Sequence, residues 1–597
     1  MAPESDVDAL RAQAESWLAD DPDPAARAEL TALLAGLPGS ADELADRFVG
    51  PLTFGTAGLR GRLRAGPNGM NLAVVSRAAA GLIGWLAAQG APGPLVIGYD
   101  ARHFSREFAE RTARIATGAG REALLLPRPL PTPVLAYAVR SLDAVAGVMV
   151  TASHNPPQDN GYKVYLGAAL GGVLGAGAQI VPPADAEIEA AIREVGAIAA
   201  VPLGEPGTVL DDKIVSSYLD AAVAVLGVGP RALRIAYTPL HGVGGAVAAE
   251  AFERAGFGAP AVVAEQAEPD PEFPTVKFPN PEEPGAMDLL LALATTVGAD
   301  LAIANDPDAD RCAVAIPTRS GKQNTTPTDG PTYSGKHDAT PADEPTHSGK
   351  QNAAPTDEPT RGGSQGGGWR PLTGDQLGIL LADHLIRRGT PGTFATTIVS
   401  STMLQALCAA RGVPYGETLT GFKWIVRADE DLAFGYEEAL GYCVAPALVR
   451  DKDGITAALL IAELAAGLTA AGSTIADRLD ELDAEFGVHR TDQLSIRVDD
   501  LAEITRTMAN VRRRPPTALL GAAISEIEDR LPGADVLTFR TGSARVVIRP
   551  SGTEPKLKAY LEVVVPVADG AVAAARTRAE AAIADLRAEV ATALGLR

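Results

Sequence analysis

An α/β protein of several domains is expected from this 597-residue chain, on three observations. The length exceeds what one hydrophobic core can serve, since single cores stop growing at about 250–300 residues. An apolar strand, a polar loop and a helical stretch follow one another three times along the chain. Leu95-Val-Ile-Gly-Tyr-Asp100 passes through Ala-Arg-His-Phe-Ser105 into a helical stretch from Arg106. Leu233–Leu240 passes through His-Gly-Val-Gly-Gly245 into Ala246 onward, and Thr393–Val399 passes through Ser-Ser-Thr into Met403 onward. Units of this kind assemble into parallel or mixed sheets covered by helices. From about Arg490, finally, short strands (493–497, 544–548, 560–565) alternate with helices and close on an Ala/Arg/Glu-rich helix over 570–594. That last portion reads as a smaller α+β domain.

In chain order, residues 1–48 show apolar spacing near 3.6 and read as two or three short helices, with Pro22 and Pro24 marking a helix start. Leu52-Thr-Phe-Gly-Thr-Ala-Gly-Leu-Arg-Gly61 follows, a glycine-rich loop whose backbone N–H groups and Arg60 could approach an anion. The glycines at 242, 244 and 245 do not complete a dinucleotide fingerprint, because Val247 stands where the last glycine is needed. Residues 317–364 hold three copies of a fourteen-residue unit and the start of a fourth, without Val, Ile, Leu, Phe, Met or Trp. Such a stretch cannot bury enough apolar surface to offset its ordering entropy, so it reads as a disordered insert dispensable for chemistry. Leu372–Leu385 is an amphipathic helix with Thr373 as N-cap. The expected division is 1–210, the N-terminal helices and a first α/β domain; 211–316, a second; 317–368, the insert; 369–488, a third; and 489–597, the α+β domain.

Composition narrows the class of partner. A formal charge of −22 disfavours nucleic acid and anionic membrane surfaces, which need basic patches. Three cysteines (Cys312, Cys408, Cys443) without a CxxC pair fit a reducing compartment. No basic and apolar leader opens the chain, and the most apolar stretch, Ile455–Ile475, carries Glu463, so a buried helix is expected there rather than a membrane span. The expectation is a cytoplasmic protein acting on a small molecule.

Four short stretches carry chemistry. In Val148-Met-Val-Thr-Ala-Ser-His-Asn-Pro-Pro157 a buried strand runs into a loop bearing Ser153 and His154, with Lys163 ten residues past the serine. In Leu301-Ala-Ile-Ala-Asn-Asp-Pro-Asp-Ala-Asp-Arg311 a strand ends in Asp306, Asp308 and Asp310, followed at once by Arg311. Three like charges in one loop call for a cation, and an all-oxygen set points to Mg²⁺ rather than Zn²⁺. An EF-hand fails, because Arg311 and Pro317 stand where Gly and Glu are required. An aspartyl-nucleophile phosphatase is weakened by Asp310, and a solvated acidic turn is the plain alternative. Val547-Ile-Arg-Pro-Ser-Gly-Thr-Glu-Pro-Lys-Leu-Lys558 offers Arg549, Ser551, Gly552, Thr553 and Lys558 as a phosphate cradle, or else a polar hairpin. Phe434-Gly-Tyr-Glu-Glu-Ala-Leu-Gly441 presents Glu437 and Glu438, which could accept from sugar hydroxyls or form a surface pair. Lys423 precedes this stretch and Lys452 follows it.

Taken together and in their order along the chain (Ser153, the three aspartates, Glu437–Glu438, Arg549–Thr553), the four stretches closely resemble the α-D-phosphohexomutase superfamily, in its phosphoglucomutase/phosphomannomutase branch, from about residue 50 to 565 apart from the insert. The resemblance implies four domains around a central cleft, three related α/β domains and a C-terminal one of different fold. It implies that Ser153 carries a phosphoryl group and that Mg²⁺ sits between Ser153 and Asp306, Asp308 and Asp310. Arg60, His154, Lys163 and Arg311 would line the reacting end. Glu437, with Glu438, Lys423 and Lys452 around it, would hold the sugar, and Arg549, Ser551, Gly552, Thr553 and Lys558 the other phosphate. Ala439 stands where some relatives have serine, which leaves one sugar contact open. The implied reaction interconverts hexose 1-phosphate and hexose 6-phosphate through a phosphoserine and a hexose 1,6-bisphosphate, the latter also an activator. Glucose is the first candidate sugar, with mannose and pentose phosphates as alternatives and a Mg²⁺ phosphatase as a different class.

Overall fold

The computed structural model describes residues 4–56, 58–318, 368–498, 501–551 and 556–595. The insert from residue 319 to 367 lies outside them, as do Gly552 and Thr553.

Three helices open the chain, Glu4–Asp20, Pro24–Ala35 and Ala41–Arg47. Pro24 fills the first turn, where its missing N–H costs nothing, and the Asp23 carboxylate accepts from Ala25 N. Arg47 ties the group together through Glu29 at 2.6 Å and Glu43 at 2.7 Å.

The first sheet contains β1 (Leu59–Arg62), β2 (Leu95–Tyr99), β3 (Ala123–Leu125), β4 (Ala146–Val150), β5 (Asp159–Leu166), β6 (Ala178–Gln179) and β7 (Thr208–Val209). Its order is β1-β5-β4-β2-β3-β7, with β6 on the flank of β5. β4, β2, β3 and β7 run parallel, while β5 returns antiparallel to β4 and β1 pairs antiparallel to β5. The second sheet holds β8 (Ile235–Thr238), β9 (Ala261–Val262), β10 (Leu301–Asn305), β11 (Cys312–Pro317) and β12 (Trp369–Pro371), in the order β12-β11-β10-β8-β9. The third has β13 (Thr393–Thr397), β14 (Tyr415–Thr418), β15 (Leu432–Glu437) and β16 (Gly441–Cys443), ordered β14-β13-β15-β16. In all three, parallel strands end in one antiparallel return: β4–β5, β10–β11 and β15–β16. The mixed sheets and the repeated build agree with the sequence reading.

The fourth sheet is antiparallel: β17 (Val488–Arg497), β20 (Glu526–Asp529), β21 (Leu537–Arg540), β22 (Ala544–Pro550) and β23 (Lys556–Val565), ordered β17-β23-β22-β21-β20. β18 (Ala518–Leu519) and β19 (Ala522–Ala523) form a separate short hairpin. The helices Leu501–Arg513 and Val572–Ala593 bury Met508, Ala579, Ile583 and Leu586 in the same core.

One continuous core links the helix-covered faces of the second and third sheets and reaches Val96, Leu126 and Met149 of the first, while the fourth sheet has a core of its own. The helix Gly454–Ala470 lies in that shared core, buried from Gly454 to Ala466. Its Glu463 accepts from His384 Nε2 at 2.8 Å, Arg388 at 3.0 Å and Gly227 N at 2.7 Å, which satisfies a charge that burial would otherwise penalise. Among the described residues no single helix is long and apolar enough to cross a membrane; one pair, Gly454–Ala470 with Ile475–Phe486, passes on length and composition together but is bent by 93°. Thr373 caps the helix Gly374–Arg387, as its sequence suggests, and the structure adds the Gln376 side chain to complete a capping box.

Candidate active site

Each of the four chemistry-bearing stretches occupies the turn of an antiparallel return. Ser153 lies between β4 and β5, the three aspartates between β10 and β11, Glu437–Leu440 at β15–β16, and Ser551 between β22 and β23. Apolar strands buried on both faces must end where the chain becomes polar, so the strand ends fix where the reactive groups emerge. Direct contacts bring three of the turns together, the Ser153 hydroxyl meeting Asp306 Oδ2 at 2.8 Å and further bonds tying in the third turn and its surroundings. Cys312 N donates to Leu440 O at 3.1 Å, Thr132 N donates to Asp308 O at 2.9 Å, and Gly454 N donates to Ala309 O at 3.2 Å. A Cβ on Gly454 would lie 2.3 Å from Arg311 O, so only glycine fits that crossing.

Ser153 is 3% exposed and has a left-handed backbone, φ +52°. Its N–H donates to Thr151 Oγ1 at 2.9 Å, and its hydroxyl donates to Asp306 Oδ2 at 2.8 Å. His154 Nδ1 lies 3.1 Å from the same hydroxyl oxygen. Burial, reinforced by the Arg311 and Arg60 charges, pushes His154 well below the usual imidazole range, so the ring is neutral near pH 7. Arg60 reaches the loop from β1 and donates to Asn155 Oδ1 at 3.1 Å. Gly55 and Gly58 close a tight turn beside it, where a Cβ on Gly58 would lie 1.8 Å from Tyr162 O.

Asp306, Asp308 and Asp310 are all buried, and one carboxylate oxygen from each lies within 4.8 Å of the other two. Lys163 Nζ donates to Asp308 Oδ2 at 2.8 Å and Asp310 Oδ2 at 3.2 Å, and Lys452 Nζ stands 3.4 Å from Asp310 Oδ2. Arg311 Nε lies 3.9 Å from Asp306 Oδ2. Burial, with Asp308 and Asp310 adding to it, pushes the Asp306 carboxyl well above its ordinary range. Burial acts the same way on Asp308, but the Lys163 charge and hydrogen bond overcome it and hold Asp308 low. Burial would lower Lys163; the carboxylates of Asp308 and Asp310 keep it raised instead. Asp308 Oδ1 and Asp310 Oδ1 are buried without a hydrogen-bond partner. Two orphaned carboxylate oxygens in an all-oxygen cluster fit a hard divalent cation such as Mg²⁺.

Glu437 and Glu438 diverge. Burial raises the Glu437 carboxyl, opposed by the nearby Lys452 and Arg311 charges. Glu438 Oε2 accepts from Ser400 Oγ at 3.0 Å and Thr397 Oγ1 at 3.3 Å. Lys423 donates to Thr56 Oγ1, joining the third sheet's domain to the glycine loop, and burial lowers its ammonium to about 8. In the fourth sheet Arg549 pairs with Lys558 across β22 and β23, which puts both side chains on one face. Arg549 Nη1 lies 3.5 Å from the Tyr560 hydroxyl, and Ser551 N donates to Lys556 O at 2.8 Å.

The sequence reading did not single out Thr132, Arg102 and Glu282. Thr132 Oγ1 donates to Asp308 Oδ2 at 2.8 Å, and Glu282 Oε2 lies 3.7 Å from Arg311 Nη1. Arg102 sits in the polar loop after β2, where the stretch Asp100-Ala-Arg-His was the available signal.

The structure thus sets a buried serine hydroxyl against three buried carboxylates that could hold a metal ion, with cationic side chains around both, an arrangement suited to metal-assisted phosphoryl transfer. Comparison with known proteins gives the lineage. Four phosphoglucomutase/phosphomannomutase models match in order: alpha/beta/alpha domains I, II and III over residues 51–198, 216–321 and 373–486, and the C-terminal domain over 496–584. A Haemophilus influenzae protein named "probable phosphomannomutase" is 42% identical, over 83% of this chain and 93% of its own. A mouse phosphopentomutase is 31% identical over 93% and 90%, and a Staphylococcus aureus phosphoglucomutase 30% over 88% and 92%. A solved phosphoglucomutase/phosphomannomutase family protein from Burkholderia thailandensis shares the fold with a TM-score of 0.63 at 18% identity, over 90% of this chain and 97% of its own. The chain belongs to the phosphoglucomutase/phosphomannomutase family, within the α-D-phosphohexomutase superfamily, and is an isomerase of the phosphomutase type.

Proposed function

We propose that this enzyme interconverts hexose 1-phosphate and hexose 6-phosphate, with glucose as the sugar, by passing a phosphoryl group through Ser153. The observation that carries the reading is the Ser153 hydroxyl 2.8 Å from Asp306, at the edge of a cage with two orphaned carboxylate oxygens. Ser153, Asp306, Asp308 and Asp310 would hold Mg²⁺, and the bound cation would supply charge neutralisation to the phosphoryl oxygens. Phosphoserine gives its phosphoryl group to the free sugar hydroxyl: the Ser153 Oγ–P bond breaks, a sugar O–P bond forms, and of the two candidate bases His154, the neutral one, takes the hydroxyl proton, since Asp308 and Asp310 hold Lys163 protonated. The resulting hexose 1,6-bisphosphate reverses its orientation, Ser153 takes back the other phosphoryl group, and added bisphosphate serves as activator by phosphorylating Ser153. Arg60 and Arg311 stabilise the charge on the moving group. Glu437 accepts from sugar hydroxyls, with Glu438 and Lys452 behind it. Lys423 joins them at the sugar end, while Arg549, Ser551 and Lys558, with Gly552 and Thr553, hold the phosphate that does not react. We divide the chain at 210/211, 316/317, 368/369 and 488/489; β7 at 208–209 still pairs in the first sheet, which supports the first of these boundaries.

A second sugar, mannose, is favoured by the name of the Haemophilus influenzae relative. Assays on glucose, mannose and ribose 1-phosphates with Mg²⁺ and a bisphosphate, beside a Ser153→Ala variant, test the proposal. Turnover of glucose 1-phosphate that is lost with the serine supports it. Inactivity on all three sugars, or full activity of the variant, refutes it.

A further inference from the structure

The backbone carbonyls of the Ser153 turn converge on one side chain. Arg102, 4% exposed, donates through Nη2 to Ser153 O at 2.7 Å and to Asn155 O at 2.6 Å. Through Nη1 it donates to Pro156 O at 2.8 Å and Asp159 O at 3.2 Å. Four carbonyls of one loop thus converge on one guanidinium, whose planar fork offers five donors in fixed directions. Asp100 fixes the arginine in turn. Its Oδ2 lies 3.4 Å from Arg102 Nε, and its Oδ1 accepts from Arg102 N at 3.0 Å and Ser105 Oγ at 2.6 Å. The other support comes from the second sheet's domain: the Phe273 ring lies 4.9 Å from the guanidinium carbon, stacked over it, and is itself 2% exposed. From Phe273 the link runs through backbone: Phe273 N donates to Asp270 O at 3.2 Å, Asp270 N donates to His241 O at 3.0 Å, and a Cβ on Gly242 would lie 2.3 Å from the Cα of Pro307, the residue between Asp306 and Asp308.

Two physical problems meet here. A non-glycine residue in the left-handed region costs about 1–2 kcal/mol, and Ser153 stays there only because its surroundings over-determine it. A phosphoserine carries about −1.5 to −2 charge, which is disfavoured beside the negative ends of peptide dipoles. Arg102 answers both, by fixing the turn and by engaging four of those negative ends with a positive charge.

We propose that Arg102 is a positioning residue for phosphoryl transfer, and that with Phe273 it splints the Ser153 turn against the Asp306–Asp310 turn. The inference rests on the reading of Ser153 as the phosphoryl carrier. Arg102 is not placed to touch substrate, so its loss misaligns Ser153 without weakening the grip on the sugar phosphate. Lysine keeps the charge but not the fork, and cannot serve four carbonyls in one plane.

The test compares wild type, Arg102→Lys, Phe273→Leu and Ser153→Ala, measuring Tm, kcat, KM for glucose 1-phosphate, and the rate at which glucose 1,6-bisphosphate phosphorylates Ser153. A misplacement of about 1 Å at the reacting group costs on the order of a hundredfold. The expected result for Arg102→Lys is therefore a loss of about a hundredfold in kcat and in the phosphorylation rate, with KM within about threefold of wild type. Phe273→Leu is expected to lose about tenfold in kcat, again at near-constant KM. Wild-type kcat in Arg102→Lys overturns the inference, as does a loss in which KM rises along with a falling Tm. If Ser153→Ala retains activity, the underlying reading fails instead, whatever Arg102→Lys does.

Discussion

Removing the Lys163 charge should expose how the three aspartates are neutralised. Lys163 Nζ lies 2.8 Å from Asp308 Oδ2 and 3.2 Å from Asp310 Oδ2, with the three side chains 7%, 0% and 1% exposed. At an effective dielectric of about 20, each contact is worth about 5–6 kcal/mol of Coulomb attraction before desolvation is subtracted. Removing one partner of a buried pair costs about 3–5 kcal/mol net, because the remaining charges stay buried without a partner. Lys163→Met in EDTA should therefore lose about 3–5 kcal/mol, or about 6–20 °C in Tm for a cooperative unit of 150–250 residues. Mg²⁺ should reverse much of this, since a ligand at a hundredfold excess over its Kd returns about 2.7 kcal/mol. The variant should also gain more from Mg²⁺ than wild type does, because it has lost a cation that competes for the same carboxylates. Thermal unfolding followed by circular dichroism, with EDTA and with Mg²⁺, reads all four values. Unchanged stability of Lys163→Met in EDTA, or an equal Mg²⁺-induced rise in both proteins, would refute the reasoning.

Burial lowers Lys423 to about 8, so its charge, and with it kcat/KM, should decline above about pH 8; initial rates from pH 7 to 9.5 should show that limb, and Lys423→Arg should remove it. Glu562 sits between the third and fourth domains, bound by Arg545 at 2.9 Å, His489 at 3.1 Å and Thr402 N at 2.8 Å. Burial raises its carboxyl, but Arg545 and His489 overcome this and hold it at about 2, below the ordinary 4.5. With the folded pKa depressed, its stabilisation is complete above about pH 4.5 and is lost as pH falls toward 2. Glu562→Gln should flatten that acid limb in urea titrations, and Glu562→Ala should cost about 3–5 kcal/mol at neutral pH. Replacing residues 319–367 by a two-residue turn should leave kcat within about twofold, since loop length has a small effect on stability; Pro317 pairs with Trp369, and Thr318 N donates to Gly368 O at 2.5 Å. A large loss of activity on that deletion would assign the insert a part in function.

The sequence made the strands and the reactive turns legible because buried apolar runs stop abruptly where polar residues begin, as at Val150 and Asn305. The N-cap at Thr373 and the buried helix carrying Glu463 were legible for the same local reasons. Groups that act through tertiary contact were not. Thr132 begins a helix of the first domain and reaches Asp308 only once the sheets have packed. Glu282 belongs to a run, Asn280-Pro-Glu-Glu, that any exposed turn could carry. Arg102 follows a strand like many surface arginines, and only the fold aims four carbonyls at it. Glu437 and Glu438 looked like one pair; strand alternation sends successive side chains to opposite faces, and Glu438 ends beside Ser400. The left-handed backbone of Ser153 has no local signal either, because nothing in Thr-Ala-Ser-His-Asn-Pro requires it.

A single-turnover transfer tests the phosphoserine mechanism most directly. Protein phosphorylated on Ser153 with ³²P is mixed with one equivalent of unlabelled glucose 1-phosphate in Mg²⁺, and the label is followed. Label should leave Ser153 and appear first in a hexose bisphosphate, then partition between hexose 6-phosphate and Ser153 as the ligand turns. Label released as inorganic phosphate, with net conversion persisting in Ser153→Ala, would contradict the mechanism and point to hydrolysis at the aspartates.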